Sequence, residues 1–215
     1  SGSGVAINYH PARRTPEGQL RVGLIGLGIG TIAAYGRPGD TFRFYEINPQ
    51  TEQIARKYFS YLHQGNARNE VVIGDGRISL ARELISNGPQ QFDVLVVDAF
   101  SGDAIPIHLL TREAVDLYWQ HLKEDGILAV HVTNIHVDLF DVVRQLAEHS
   151  GRTAIHIEDY GDNYYESTND WVLITNNGEF LQDRRVRSSI TPWRTKAKPI
   201  FWTDDFSNLF EIVDW

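Results

Sequence analysis

The stretch RVGLIGLGIGT, residues 21–31, decides the fold class of this protein. Its first half is a short apolar run of the kind that forms a buried strand, and its second half has glycine at every other position. Gly26, Gly28 and Gly30 let the backbone turn tightly and approach a ligand, and the N-terminus of a following helix favours negative groups and hydrogen-bond acceptors. The dinucleotide fingerprint would have its last glycine where this chain has Thr31. The stretch therefore predicts a strand, a ligand-binding glycine loop and a helix.

Short β-branched runs alternate with helical patterns along the rest of the chain, as they do in βαβ units on a mainly parallel sheet. Seven strands are predicted, at residues 21–26, 42–47, 70–73, 92–98, 126–132, 153–158 and 170–175. The sequence thus predicts an α/β fold with a doubly wound, Rossmann-like sheet. We expect residues 1–20 to be a turn-rich lead-in or linker, residues 21–176 to be the ligand-binding domain, and residues 177–215 to be an aromatic and basic tail packed on it.

Three helices are predicted from apolar residues that recur at helical spacing. The stripes are Ile54, Tyr58 and Leu62; Ala114, Leu117, Tyr118 and Leu122; and Leu139, Val142, Val143 and Leu146. Asn48 and Pro49 are suited to the N-cap and the first position of the first helix. Gly126 is expected to stop the second helix, and Gly151 the third.

Acidic residues end three successive predicted strands. Glu46 ends the second strand, Asp75 the third and Asp98 the fourth. Because ligands of open α/β sheets bind outside the carboxyl ends of the strands, we expect these acids at one edge, beside the glycine loop. There Glu46 can accept hydrogen bonds from both ribose hydroxyls of a nucleoside, and Asp75 from an adenine amino group. The glycine loop, the ribose acid and the adenine acid together suit S-adenosylmethionine or a related nucleoside better than NAD, whose pyrophosphate would lie on the loop.

Composition excludes several classes of protein. The chain has 215 residues and a formal charge of −8, the opposite of what a protein dominated by phosphate contacts needs, so we expect no nucleic-acid partner. It has no cysteine, which excludes disulfides and thiol catalysis. His131 and His136 lack a companion carboxylate at ligand spacing, so they are interpreted as ordinary polar residues and no metal is expected.

Two segments point to a family. Residues 74–77 read GDGR, and residues 98–106 read DAFSGDAIP. With the glycine loop they resemble the spermidine synthase (polyamine aminopropyltransferase) branch of the class I S-adenosylmethionine-dependent methyltransferase fold. Within that branch the chain is most similar to synthase-like domains fused to membrane segments, in which the N-terminal β-domain of the synthases is largely absent. The resemblance implies a cytoplasmic domain that is joined to a membrane domain in the parent protein. A second copy of the chain, in contact with the aromatic tail, is a further expected partner.

The resemblance also implies roles for individual residues. Gly26, Gly28 and Gly30 would pack against the cofactor, Glu46 would hold its ribose, and Asp75 would bind the adenine with Gly76 at its side. Asp98 would be the catalytic base that accepts the proton of the attacking amine. Asp103, two positions further along than the family's second acid, would hold the putrescine-like amine together with Tyr9 and Tyr165.

One departure from the family concerns the donor. Ile29 stands where the synthases carry an aspartate that binds the ammonium group of decarboxylated S-adenosylmethionine. At an effective dielectric of 20, a charge pair at 4 Å contributes about 4 kcal/mol before desolvation, so this loss can change the choice of donor. The co-substrate is therefore decarboxylated or intact S-adenosylmethionine. Three functions stay open: aminopropyl transfer, methyl transfer, and nucleoside binding without catalysis by a regulatory module.

Overall fold

Seven strands form a single mixed sheet. The computed structural model describes residues 1–99, 106–134, 137–159, 169–193, 198–209 and 212. The strands are β1 (Arg21–Ile25), β2 (Thr41–Glu46), β3 (Arg68–Ile73), β4 (Phe92–Val97), β5 (Leu122–His131), β6 (Thr153–Asp159) and β7 (Asn169–Thr175). Their order across the sheet is β3-β2-β1-β4-β5-β7-β6, with β1 to β5 parallel and β7 antiparallel to both its neighbours. The seven predicted strands and the doubly wound sheet are confirmed.

Helices cover both faces of the sheet. They are α1 (Gly2–Asn8), α2 (Pro49–Tyr58), α3 (Tyr61–Gln64), α4 (Gly76–Asn87), α5 (Arg112–His121), α6 (Phe140–His149), α7 (Gly178–Gln182) and α8 (Arg184–Ser189). Helices α4, α5 and α6 pack in one core cluster, while α1, α2, α3, α7 and α8 contribute to the other. Strand β4 is buried along its whole length because its residues alternate between the two clusters. None of the helices in the described ranges is long and apolar enough to cross a membrane.

The third predicted helix is confirmed, whereas the first two differ in detail. Helix α2 begins as expected, since the Asn48 side chain accepts a hydrogen bond from the Gln50 amide. However, Ile54 is 49% exposed and Tyr58 is 66% exposed, because α2 turns the small Ala55 toward the sheet. Leu62 is buried but belongs to α3. The expected apolar face over Ile54, Tyr58 and Leu62 is therefore wrong.

A second difference lies after helix α5. The chain becomes extended at Leu122, where β5 begins, so the helix ends before Leu122 rather than near Gly126. The pairing of β5 with β4 shifts between its Leu122 and Ile127 partners. This irregularity explains why the polar residues between them gave no strand pattern.

The segment after the glycine loop is shorter than predicted. Instead of an α-helix, residues Thr31–Tyr35 form one 3₁₀ segment. Gly30 precedes it with φ of 84°, a left-handed conformation, and the sequence GRPG at residues 36–39 follows it. Pro38 restricts the residue before it to extended conformations, so a long helix cannot form there. A helix N-terminus therefore contributes little to this loop.

The N-terminal residues are part of the fold rather than only a lead-in. Helix α1 buries Gly2, Ala6 and Ile7 against the sheet. A Cβ atom on Gly2 would lie 2.3 Å from the Cβ of Trp171, so glycine permits this close approach. The expectation of a turn-rich linker over residues 1–20 is thus wrong for this helix.

The C-terminal residues also contribute to the two core clusters. Phe180 in α7 and Val186 in α8 are fully buried, as is Trp202. The Arg112 amide donates a hydrogen bond to the Trp202 carbonyl, which attaches this segment to the start of α5. These short helices were not anticipated, because five or six residues are too few to show helical periodicity.

Candidate active site

A cavity of about 480 Å³ opens at the carboxyl ends of the parallel strands. Its walls come from the glycine loop after β1, the turn after β2, the start of α4 after β3, and the residues after β4. The side chains and backbone that line it include Gly26, Leu27, Gly28, Ile29, Glu46, Asn48, Asp75, Gly76, Asp98 and His108. Four crossovers therefore deliver the acids and the glycines to one place, as expected for an open α/β sheet.

The three loop glycines have different structural roles. Gly26 has φ of 102°, and a Cβ there would lie 2.1 Å from the Asp98 carbonyl oxygen, so glycine lets β1 and β4 end side by side. Gly28, with φ of 53°, has open space where a side chain would begin and lines the cavity. Gly30 instead makes the turn over Leu62 and is not among the lining residues. Gly26 and Gly28 thus belong to the cavity wall.

Glu46 ties the glycine loop to the turn after β2. One of its carboxylate oxygens accepts a hydrogen bond from the Leu27 amide at 3.1 Å, and the other accepts one from the Asn48 amide at 2.8 Å. The residue is only 8% exposed, but it lines the cavity. A carboxylate has about four lone-pair sites, so two can still face a ligand. The two backbone donors fix the direction of those remaining sites.

Asp75 is held by two donors at the start of α4. Its Oδ1 caps the helix by accepting from the Ile78 amide at 2.8 Å, and its Oδ2 lies 2.8 Å from His108 Nε2. Burial alone would raise the pKa of Asp75, but the bonds from Ile78 and His108 lower it below its ordinary value. The adjoining Gly76 lies so close to Ile25 that a Cβ would be 2.7 Å from that side chain. Asp75 is thus an oriented, ionised acceptor.

Asp98 pairs with a histidine that the sequence analysis set aside. His131 Nδ1 lies 2.8 Å from Asp98 Oδ1, and the Asp98 side chain is 37% exposed where it lines the cavity. The imidazole stacks on Trp171 with 4.8 Å between ring centroids, which fixes its plane. Parallel pairing of Val97 with Val130 explains the contact, because the next residue of each strand is then a neighbour. A histidine ending the strand beside Asp98 was the signal available in the sequence.

Sequence comparison relates the chain to two kinds of transferase, although no family model matches it. It is 34% identical over 116 residues to a polyamine aminopropyltransferase of Vibrio vulnificus. It is also 33% identical over 109 residues to an N-terminal histidine N-methyltransferase of Emericella nidulans. The matched parts cover 54% and 50% of this chain but 38% and 19% of those two proteins. The chain thus spans less than half the length of these curated relatives.

Solved structures establish the fold. The spermidine synthase of Thermotoga maritima superposes with a TM-score of 0.62 at 18% identity, covering 94% of this chain and 66% of that one. Human methyltransferase-like protein 13, in complex with SAH, gives a TM-score of 0.56 at 17% identity, covering 80% and 78%. The fold is therefore the class I methyltransferase-like α/β fold. The chain is similar to polyamine aminopropyltransferases in sequence and to spermidine synthases in fold.

One other candidate residue lies away from the cavity. Tyr9 does not line the cavity, and its ring lies 4.6 Å from the Arg185 guanidinium. Burial lowers the pKa of the next residue, His10, and the charge of Asp93 near the start of β4 opposes that shift. Since β4 starts at the opposite edge of the sheet from Asp98, the structure does not bring Tyr9 to the site.

Two further candidates lie outside the described residues. These are Asp103, the expected second acid, and Tyr165, expected on the opposite wall. Both therefore stay predictions from the resemblance. Ile29, by contrast, is described: it lines the cavity and is 38% exposed, so an apolar side chain occupies this part of the wall.

Arg77, which follows Asp75 and Gly76, fastens the C-terminal segment to the site. Its two terminal nitrogens donate to the two carboxylate oxygens of Asp204, and one of them also bonds the His108 carbonyl at 2.9 Å. The hydrogen bonds from Arg77 lower the pKa of Asp204 to about 2, and Thr111 adds another. This cluster positions the backbone of His108, the partner of Asp75, so the C-terminal segment supports the cavity wall.

Proposed function

We propose that this domain transfers an aminopropyl group from decarboxylated S-adenosylmethionine to a small amine of the putrescine type, with Asp98 as base. The observation that carries the proposal is the cavity in which Glu46, Asp75 and Asp98 meet the glycine loop. The likeness to two curated polyamine aminopropyltransferases supports it. A solved spermidine synthase with TM-score 0.57 is in complex with the transition-state analogue AdoDATO, which supports a donor of this kind.

The donor would lie across the carboxyl ends of β1 to β3. Glu46 would accept hydrogen bonds from the ribose hydroxyls through the lone pairs that its two backbone donors leave. Asp75, oriented by Ile78 and His108, would accept from the adenine amino group, with Gly76 beside it. Gly26 and Gly28 would contact the donor's sulfur-bearing part, because no side chain intervenes there. Gly30 would act indirectly by making the turn of the loop.

Asp98 would carry the chemistry. In an in-line displacement, the amine nitrogen bonds to the methylene carbon next to the sulfonium while the carbon–sulfur bond breaks, and its electron pair neutralises the sulfur. The leaving group is already good, so the protein has to supply a neutral amine in the correct line. A carboxylate attracts the cationic amine and takes up the proton that the amine loses. His131 would hold Oδ1 and leave Oδ2 for the amine. Asp103 and Tyr165 are proposed to hold the far end of that amine.

Methyl transfer from intact S-adenosylmethionine is a second candidate, favoured by Ile29. The family's aspartate at this place would bind the donor's ammonium group, whereas Ile29 offers only apolar surface to the cavity. The relative that is an N-terminal histidine N-methyltransferase also supports this candidate. In this case Asp98 would orient and deprotonate an acceptor nitrogen.

One experiment separates these functions. The purified chain is incubated with putrescine and either decarboxylated or intact S-adenosylmethionine, and products are identified by mass spectrometry. An aminopropylated amine formed by the wild type and not by Asp98→Asn supports the proposal, and a methylated amine supports the second candidate. Absence of any product, together with calorimetric binding of the donors, would overturn both and leave a nucleoside-binding module.

The donor preference is tested at one position. Ile29→Asp places a carboxylate in the cavity wall and is expected to favour decarboxylated over intact S-adenosylmethionine by about tenfold or more in affinity. Ile29→Asn, of nearly the same size without the charge, is the matched control. A preference that is the same in both variants would contradict the assigned role of this position.

A further inference from the structure

A second group of side chains that could bind a ligand lies in the antiparallel strands β6 and β7, at the lateral edge of the sheet. Glu158 in β6 and Asp170 in β7 are direct partners in the antiparallel ladder. His156 lies two residues before Glu158 in β6, so all three side chains leave the same face of the sheet. One ligand atom from each residue, an imidazole nitrogen or a carboxylate oxygen, lies within 4.8 Å of the others.

The histidine of this group is fixed in place. It is 2% exposed, and its Nε2 lies 2.7 Å from Asp170 Oδ1. Phe140 contacts the ring edge-on at 4.7 Å between centroids, and Trp193 stacks on it at 5.5 Å. The backbone of Asp170 is held as well, because its amide donates a hydrogen bond to Thr133 Oγ1 at 2.6 Å. The strand pairing and the packing around His156 and Asp170 therefore hold these two residues in place before any ligand binds.

The electrostatics of the pair favour a cation. Like charges directly opposite each other in a ladder destabilise it, and Glu158 and Asp170 are such a pair. Asp138 adds another carboxylate to the lining of a neighbouring cavity of about 250 Å³, which Arg144 also lines. The Arg144 guanidinium lies over Trp193 at 4.4 Å, and it lies 3.7 Å from Asp141. A cation between the two strands would relieve their repulsion.

We propose that His156, Glu158 and Asp170 bind a divalent transition-metal ion of the zinc type. One imidazole nitrogen and two carboxylate oxygens match the ligands of such ions, whereas magnesium and calcium prefer oxygen alone. His156 and Asp170 line the 250 Å³ cavity, which provides room for water on the remaining coordination positions. Thr133 and Asn134 in its wall offer hydrogen-bonding groups for that water. The sequence did not predict this group, because Asp170 is far from His156 and Glu158 along the chain and reaches them only through strand pairing.

This site is separate from the cavity that contains Asp98. The side chains of His131 and Trp171 belong to the face of the sheet that α1 covers, whereas His156 and Asp170 belong to the face that α6 covers. Neighbouring residues of one strand, Asp170 and Trp171, thus serve opposite faces. The proposal therefore does not depend on the transferase function.

The test is zinc binding to tag-free protein that has been freed of metal by a chelator. Calorimetry with Zn²⁺ is expected to give one site per chain, and Co²⁺ in its place is expected to give the visible absorption of an ion bound to protein ligands. Glu158→Gln and Asp170→Asn are each expected to weaken binding by about tenfold or more. Asp116→Asn is the matched control, because Asp116 lies 3.8 Å from His149 in another histidine–carboxylate pair.

Three results would overturn the proposal. They are no zinc binding at concentrations up to about 1 mM, unchanged affinity in both cluster variants, and an equal loss of affinity in Asp116→Asn. Circular dichroism establishes that each variant is folded, and because Glu158 is less buried than His156, Glu158→Gln keeps the test decisive if Asp170→Asn does not fold.

Discussion

The parallel strands and the antiparallel pair at the other end of the sheet place their acidic residues in different ways. Glu46, Asp75 and Asp98 lie far apart in sequence but meet at one edge, because parallel strands all end there. Each has its own hydrogen-bond donors. Glu158 and Asp170 instead face each other across the antiparallel ladder. Strand direction thus decides whether acids converge on a shared cavity or oppose each other as a pair.

The largest expected effect tests whether the cavity at the carboxyl ends of the parallel strands is catalytic. Asp98→Asn removes the proposed base while keeping its shape, so turnover is expected to fall about 10²- to 10⁴-fold. Donor binding by calorimetry is expected to stay within about threefold, and zinc affinity should not change because the two sites occupy opposite faces. The control is the exposed residue Asp116, changed to Asn. If turnover survives in Asp98→Asn, Asp98 is not the base, and the proposed difference between a catalytic region and a non-catalytic one is contradicted.

The next effect concerns the donor. Glu46→Gln replaces a carboxylate that accepts from the Leu27 and Asn48 amides, and an amide cannot accept through both ends. Affinity for methylthioadenosine, measured by calorimetry, is expected to fall about 10- to 100-fold, since hydrogen bonds to charged groups contribute about 1.5 to 3 kcal/mol. Glu124→Gln, at an exposed site, serves for comparison. Equal affinities in the two variants would show that Glu46 only supports the loop.

A smaller effect shows whether His131 positions Asp98 through a hydrogen bond or only packs on Trp171. Asparagine can place its side-chain N–H near the position of Nδ1, whereas glutamine places it near Nε2. We therefore expect His131→Asn to keep most of the kcat and His131→Gln to lose about tenfold, with similar KM for the donor. Both variants lose the ring that stacks on Trp171, so packing alone would affect them equally. Steady-state kinetics of the two variants makes the comparison.

The smallest effect is the loss of stability at acid pH that comes from the contact between Arg77 and Asp204 beside the cavity. The pKa of Asp204 is lowered to about 2 by Arg77, below the value of about 3.9 in an unfolded chain. Its contribution to stability is therefore complete above about pH 4 and is lost as the pH falls toward about 2. Thermal unfolding from pH 6 to pH 2 should show a weaker loss of Tm for Asp204→Asn than for the wild type. The effect is small because the side chain is 42% exposed, and the exposed neighbour variant Asp205→Asn is expected to behave like the wild type.

Much of the fold could be predicted from local patterns. Buried strands such as β4 are short apolar runs, and the stripe from Leu139 to Leu146 shows the face of α6 directly. The stripe over Ile54 and Tyr58 failed because a periodic pattern does not reveal which face a helix turns to the sheet. Tyr9 failed for a related reason: its place depends on the direction in which α1 crosses the sheet.

The sequence by itself determined the α/β class, the seven strands, the glycine loop and the acids that end successive parallel strands. These follow from apolar periodicity, glycine conformation and the rule that parallel strands end at one edge. Only the tertiary structure decided that Asp98 pairs with His131 and that His156 and Glu158 meet Asp170. Such contacts depend on register between strands, which pairs residues without regard to their separation along the chain.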